Sequence, residues 1–266
     1  MIINRLNYVY FIILGITIML IILLWLLLRN KSEKVKSIVI ASMCIFDIVF
    51  FFVYKYWLSI DPKFLELAGL TKFNWWNELP LQLCNISLFL IPIGVLTNNK
   101  FLKSYCFYIT PLGALMAITF PEPAFVNDSV FALRNIGFYG THMILIISGM
   151  SLLTLKLYKP SYKEIWLPTL VTLCLALIMF GVNTILRNTV CPEANYFFTY
   201  KCDVPLLSTF YKIIPVPMLY LLLSVFILVP YCLLITFIYN LYYKTKDKIH
   251  KNDKLSNNEN NDKACD

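Results

Sequence analysis

The stretch YVYFIILGITIMLIILLWLLL, residues 8–28, runs for 21 residues without a charged side chain. A helix rises 1.5 Å per residue, so this run reaches across the hydrocarbon core of a bilayer, about 30 Å. It is too long and too uniform for a signal peptide, and no small-residue cleavage site follows it. It reads as a retained first span. The rest of the chain agrees. Hydrophobic residues make up 59% of the 266 and charged residues 14%. Mean hydropathy is +0.69. A soluble domain of that composition lacks the polar surface to cover its core.

Six further apolar runs follow, at about 37–57, 79–96, 101–120, 136–155, 165–186 and 213–241. A run that must satisfy its own backbone in lipid is helical, and none of these shows the alternation of a barrel strand. The expected fold is an all-α membrane protein, a bundle of about seven transmembrane helices over residues 1–243. A basic, disordered cytoplasmic tail is expected at 244–266.

Basic residues fall unevenly between the two sides, fifteen on one and eight on the other. The richer side holds the tail and the loops after the first, third and fifth spans. The positive-inside rule puts that side in the cytoplasm, with the N-terminus outside. The tryptophans Trp25, Trp57, Trp75, Trp76 and Trp166 fall at or just beyond span ends, as an interfacial belt requires. The expected location is the cell membrane, with a bacterial plasma membrane suggested by the richness in Ile, Asn and Lys.

Several function classes are disfavoured. The net charge of +8 is explained by topology and does not point to nucleic acid. No Walker loop, dinucleotide fingerprint or zinc spacing occurs, and the eight cysteines include no CxxC pair. No metal and no cofactor is expected. No inverted repeat or paired broken helix points to a transporter, and no filter-like loop to a channel. Membrane lipids are the expected partners, and the sequence names no protein partner.

Polar groups inside apolar runs carry the functional signal. Gln82 and Asn85 share a face of the third span, Asn135 and His142 a face of the fifth, and Asn183 and Arg187 a face of the sixth. All fall in the outer half of the bundle, as does Arg134, whereas the inner halves are almost wholly apolar apart from Asp47 in mid-span. Two readings stand side by side: interhelical glue, worth about 0.6–2 kcal/mol per hydrogen bond, or a pocket open to the outer leaflet. In the pocket reading, Gln82, Asn85, Arg134, Asn183, Arg187, Asn195 and Tyr196 bind a lipid or amphiphile, and Arg134 clamps a phosphate or carboxylate. His142 is the group in these stripes that titrates near neutral pH. Cys84 is a candidate nucleophile. On a helix starting at 79 it points about 160° from Gln82 and about 100° from Asn85, at the edge of the polar face. Cys191 and Cys202 fall on the oxidising side, where a disulfide would staple an aromatic loop over the helix ends. Pro111, Gly113, Pro121 and Pro123 are expected to kink the fourth span and its exit.

These residues also carry a family resemblance. LPLQLCNIS at 79–87, GALMAITFP at 113–121, Arg134 eight residues before His142, Asn183, and ANYFF at 194–198 resemble the YwaF-like bacterial multi-pass proteins, grouped with the transmembrane protein 164 family. The similar region covers about 79–220. Bacterial relatives read Pro-Leu-His-Leu-Cys-Asp where this chain has Gln82 and Asn85. A Trp-Pro-Trp-Tyr run near the seventh span is replaced by residues 216–220. The resemblance implies, for the eukaryotic branch, membrane-embedded acyl transfer on ether phospholipids through a cysteine that aligns with Leu81. The leading expectation is a lipid- or amphiphile-binding site between the third, fifth and sixth spans; the alternative is a phospholipid acyltransferase or transacylase using Cys84 or His142, and further alternatives are a transporter or a structural membrane subunit whose polar stripes bind a partner helix.

Overall fold

A computed structural model describes residues 1–201 and 205–262. It is 75% helix. The helices are α1 (Tyr8–Leu28), α2 (Glu33–Ser59), the short α3 (Pro62–Leu67), α4 (Leu83–Leu96), α5 (Lys100–Thr119), α6 (Leu133–Thr154), α7 (Trp166–Thr189), α8 (Pro205–Ile213) and α9 (Val225–Asp262). Side-chain caps set several starts. Asn7 accepts from the Tyr10 N–H at 3.0 Å, Ser32 from Val35 at 3.4 Å and Asn99 from Leu102 at 3.1 Å, each satisfying a first-turn donor.

Among the described residues, six segments are long and apolar enough to cross a membrane: α1, α2, α5, α6, α7 with the turn before it, and Leu219–Tyr243. The run expected as a third span from 79 yields α4, of 14 residues. At 1.5 Å per residue that is about 21 Å of helix, less than a hydrocarbon core. The last run also differs from expectation. Its expected start at 213 is the end of α8. Pro215 and Pro217 follow, Met218 has φ of 65°, and a 3-10 turn (Leu219–Ser224) leads into α9. Proline at two alternate positions removes two donors and prevents one continuous helix. The backbone of α9 runs on to Asp262, across most of the segment read as a tail.

Two short strands depart from an all-helical fold. β1 (Ile2–Ile3) pairs antiparallel with β2 (Asp128–Ser129), Ile2 opposite Ser129. The pairing ties the N-terminus to the connection between α5 and α6. Two-residue strands are too short to leave an alternating pattern in sequence.

The core is built by α2, α4, α5 and α6, with α1 laid against α6. Outward faces remain apolar and bare, as lipid-facing surfaces are: Phe11, Ile18 and Leu27 of α1 and Phe46 and Val49 of α2 are more than half exposed. A second cluster joins α7, the turn at Tyr196–Phe198 and Tyr220 to the residues leading into α4. Glycines allow the closest approaches. A Cβ on Gly137 would stand 2.4 Å from the Tyr54 ring, and one on Gly149 2.8 Å from the Pro111 ring.

Gly137→Ala forces Tyr54, a fully packed ring, to move. Overpacking of this kind costs about 1–3 kcal/mol. The expected outcome is a lower thermal midpoint of the detergent-solubilised protein, while Gly15→Ala, which meets nothing within 4 Å, leaves the midpoint unchanged.

Candidate functional site

The site forms where α4 begins. The helix starts at Leu83 and not at 79, because Gln82 is its N-cap residue and makes no capping bond. The Gln82 Oε1 instead accepts from the Phe197 N–H at 3.1 Å. The first backbone bond of α4 runs from the Ile86 N–H to the Gln82 carbonyl, 3.0 Å. Among the described residues, no carbonyl accepts from the N–H groups of Leu83, Cys84 and Asn85. Cys84 therefore sits in the first turn, at the positive end of the helix. The amides of Cys84 and Asn85 lie against its sulfur.

Opposite stands His142 of α6. Its Nε2 is 3.7 Å from the Cys84 Sγ, within hydrogen-bond range for sulfur. Its Nδ1 is 2.7 Å from the Phe138 carbonyl. A carbonyl only accepts, so Nδ1 carries the proton of the neutral ring, and the lone pair of Nε2 faces the thiol. The Phe138 ring lies 4.5 Å from the imidazole, centroid to centroid, and fixes its plane. Asn85 Oδ1 is 3.7 Å from the same sulfur. Gly113 of α5 faces the pair, where a Cβ would stand 3.7 Å from that of Cys84. The arrangement is a nucleophile, a base oriented by a carbonyl, and first-turn amides that meet the nucleophile's sulfur in place of a carbonyl.

The helical-wheel reading that put Cys84 at the edge of a polar face is corrected by this start. Gln82 is outside the helix, so its direction says nothing about the face that Cys84 shares. Cys84, Asn85 and His142 come together; the other candidates do not join them.

Gln82 and Asn183 grip one loop. The Asn183 side chain accepts from the Tyr196 N–H at 2.9 Å and donates to the Tyr196 carbonyl and the Thr199 Oγ1, both at 2.8 Å. The Tyr196 hydroxyl accepts from the Leu79 N–H at 2.9 Å and donates to the Trp76 carbonyl at 2.8 Å. Asn195 bonds the Tyr200 N–H within the loop. Arg187 donates to the Ala194 carbonyl at 3.2 Å and lies 4.5 Å from the Tyr200 ring. Arg134 is elsewhere, buried at the start of α6, donating to the Ala124 carbonyl at 3.0 Å and paired with Asp128 and Asp61. Asn135 donates to the Ser129 carbonyl. Burial pushes the Cys191 thiol above its ordinary range; its expected partner Cys202 lies outside the described residues.

Two features escaped the sequence reading. Lys55 pairs with Glu78 and lies 5.1 Å from the Tyr54 ring and 5.5 Å from the Phe51 ring. A shallow apolar groove of about 410 Å³, lined by Ile38, Val39, Ser42, Met43, Phe46 and Ile144, opens on α2 and α6. It holds none of the candidate polar groups. Its lining is that of a lipid-facing surface.

The family model described as TMEM164 family matches residues 4–236. No curated protein and no solved structure matches the chain.

Asn183 makes three buried hydrogen bonds to the 196–199 backbone and side chains. Asn183→Leu leaves the Tyr196 N–H and carbonyl buried without partners, at about 1–3 kcal/mol for such a group. The loop is then expected to be cut by protease within 194–201, at enzyme concentrations that leave the parent chain intact.

Proposed function

The chain belongs to the TMEM164 family, a multi-pass membrane family, and on that premise we propose that it is an acyltransferase acting on phospholipid within the bilayer, with Cys84 as nucleophile and His142 as general base. The observation that carries this reading is the 3.7 Å approach of the Cys84 Sγ to the lone pair of His142 Nε2, beside bare first-turn amides.

The proposed step balances as follows. His142 Nε2 takes the thiol proton as the Cys84 sulfur attacks the carbonyl carbon of an acyl ester. The oxyanion accepts from the amides of Cys84 and Asn85. Collapse breaks the ester C–O bond, and the leaving alkoxide takes the proton from His142. The acyl chain rests on Cys84 as a thioester. A hydroxyl of the acceptor lipid then gives its proton to His142, attacks the thioester, and releases the thiol.

Phospholipid is supported by the pair Lys55 and Glu78. Tyr54 lies against Gly137, five residues before His142 on α6, which is about 7.5 Å along the helix axis. A lipid phosphate at that height would have to take Lys55 from Glu78 while its ester carbonyl lies at Cys84.

The proposed topology has seven crossings, with the N-terminus outside and the C-terminus in the cytoplasm of a bacterial cell. The seventh crossing joins α4 to the non-helical 79–82, whose backbone is held by Tyr196 and so need not meet lipid. In this orientation the dyad lies in the outer half. A second reading is a lipid- or amphiphile-binding site without turnover at the same place, supported by the meeting of Asn85, Cys84 and His142 between α4 and α6.

Incubation of the purified protein with vesicles of a diacyl phospholipid carrying a labelled acyl chain is expected to yield an acyl thioester on Cys84 and labelled product lipid. Cys84→Ala and His142→Ala each lower product formation by about 100-fold or more. Unchanged turnover in Cys84→Ala sinks the nucleophile assignment. Lipid that copurifies with both the parent chain and Cys84→Ala, with no turnover in either, favours binding alone. A reporter active only in the cytoplasm is expected to work when fused after residue 266 and to fail when fused before residue 1; the opposite pattern reverses the orientation.

A further inference from the structure

The apolar groove on α2 and α6 has a charged end. Its lining comes from α2 at Ile38, Val39, Ser42, Met43 and Phe46, with Ile144 of α6 beside them. Lys36 stands one turn before Val39 and two turns before Met43. Positions i, i+3 and i+7 share a helix face, so Lys36 closes that row. From Lys36 to Phe46 is ten residues, about 15 Å of helix. A hydrocarbon core is about 30 Å thick, so the row has the depth of one leaflet.

Lys36 is 8% exposed, yet its charge is unanswered. None of the ion pairs among the described residues involves it. Its nitrogen is also absent from the sealed polar atoms that lack a partner, so the stem is packed while the ammonium stays reachable. A lysine of this kind buries its stem and sends its charge to headgroup level. The depth agrees. Lys36 is the fourth residue of α2 and Trp25 the fourth from the end of α1, and a tryptophan there marks the interface. The connection RNKSEKVK, residues 29–36, carries four cations and one carboxylate. None of these five enters an ion pair among the described residues.

We propose that the groove and Lys36 form a binding site for a phospholipid of net negative headgroup, with its phosphate at Lys36 and one acyl chain along the groove. The lining chooses the chain, because it offers apolar surface over one leaflet's depth. The charge chooses the headgroup. A zwitterionic lipid brings an ammonium of its own to a connection that already has a surplus of cations, whereas an anionic lipid offsets that surplus. The site is separate from the dyad, since none of Cys84, Asn85 and His142 lines the groove.

The proposal stands apart from acyl transfer and is tested without it. The purified full chain in detergent is melted with rising phosphatidylglycerol or phosphatidylcholine at equal total lipid. Phosphatidylglycerol is expected to raise the midpoint saturably, by about 4 °C at ten times its dissociation constant. Phosphatidylcholine is expected to give no saturable rise. Lys36→Gln keeps the stem and removes the charge, and Ser42→Trp fills the groove from an exposed position. Each is expected to raise the half-saturating phosphatidylglycerol by about 5-fold or more. Lys248→Gln removes a charge beyond the last crossing and is expected to leave it unchanged. Glycerol phosphate, an anion without a chain, is expected to give no shift. Equal rises with the two lipids overturn the proposal, as does a phosphatidylglycerol response undiminished in either variant. A rise with glycerol phosphate equal to that with the lipid overturns the lipid as occupant. If Lys36→Gln does not fold, the parent-chain titrations and Ser42→Trp decide.

Discussion

The Tyr196 hydroxyl accepts from the Leu79 N–H and donates to the Trp76 carbonyl, and in doing so it stands in for a missing turn of helix. The apolar run begins at 79, but helix begins at Leu83. Backbone left bare in an apolar setting must be paired by something else. Tyr196 pairs part of it, and Gln82 spends its side chain on the Phe197 N–H in place of the helix end. The loop that supplies these partners is in turn held by Asn183 from α7. Asn183 supplies three of the bonds that hold the loop, and without the loop Gln82 has no reason to leave the first turn of α4 uncapped. The bare amides beside Cys84 are therefore a consequence of a contact made nearly a hundred residues later in the chain.

The second requirement is that α6 come close enough for His142 to reach Cys84. Gly137 and Gly140 take the rings of Tyr54 and Phe50, and Gly149 takes Pro111. Small residues let helices approach where lipid supplies no hydrophobic drive to pull them together. Here they bring α2 and α5 against two sides of α6. The same closeness shuts Asp47 into the interior. Tight packing serves the dyad and creates the electrostatic problem at Asp47 in one move.

The membrane architecture was legible because long uncharged runs have one explanation. Six of the seven runs produced segments of spanning length. In the exception, 79–96, the helix covers only Leu83–Leu96, because Pro80 is as compatible with a helix start as with a break, and the backbone before it is paired by Tyr196, far away in sequence. The start of the last span was misplaced for a similar reason: Pro215 and Pro217 lie inside an apolar run whose composition hides the break. The polar stripes were read as converging on one place. Periodicity gives the face of a helix but not its neighbour, and three neighbours turned out to be involved. Arg134 meets Asp61 and Asp128 in the connections, Asn183 meets the loop, and only His142 and Asn85 meet Cys84. The resemblance pointed to position 81 for a nucleophile, whereas the thiol facing an imidazole is three residues on.

What separates architecture from chemistry among these groups is whether their hydrogen bonds close. Asn183, Gln82, Arg134 and Arg187 spend their polar atoms on other parts of the chain, and each removes an otherwise orphaned backbone or charge. These contacts are glue, and they explain how polar residues survive in an apolar bundle. The first-turn amides of α4, the Nε2 lone pair of His142 and the oxygens of Asp47 are different. The amides and the imidazole Nε2 meet only the Cys84 sulfur, and the Asp47 oxygens are buried without a hydrogen-bond partner among the described residues, which is costly. The place where α4 meets α6 pairs a nucleophile with a base and with amide donors, and an acyl carbonyl fits it because it brings an oxygen that gains charge.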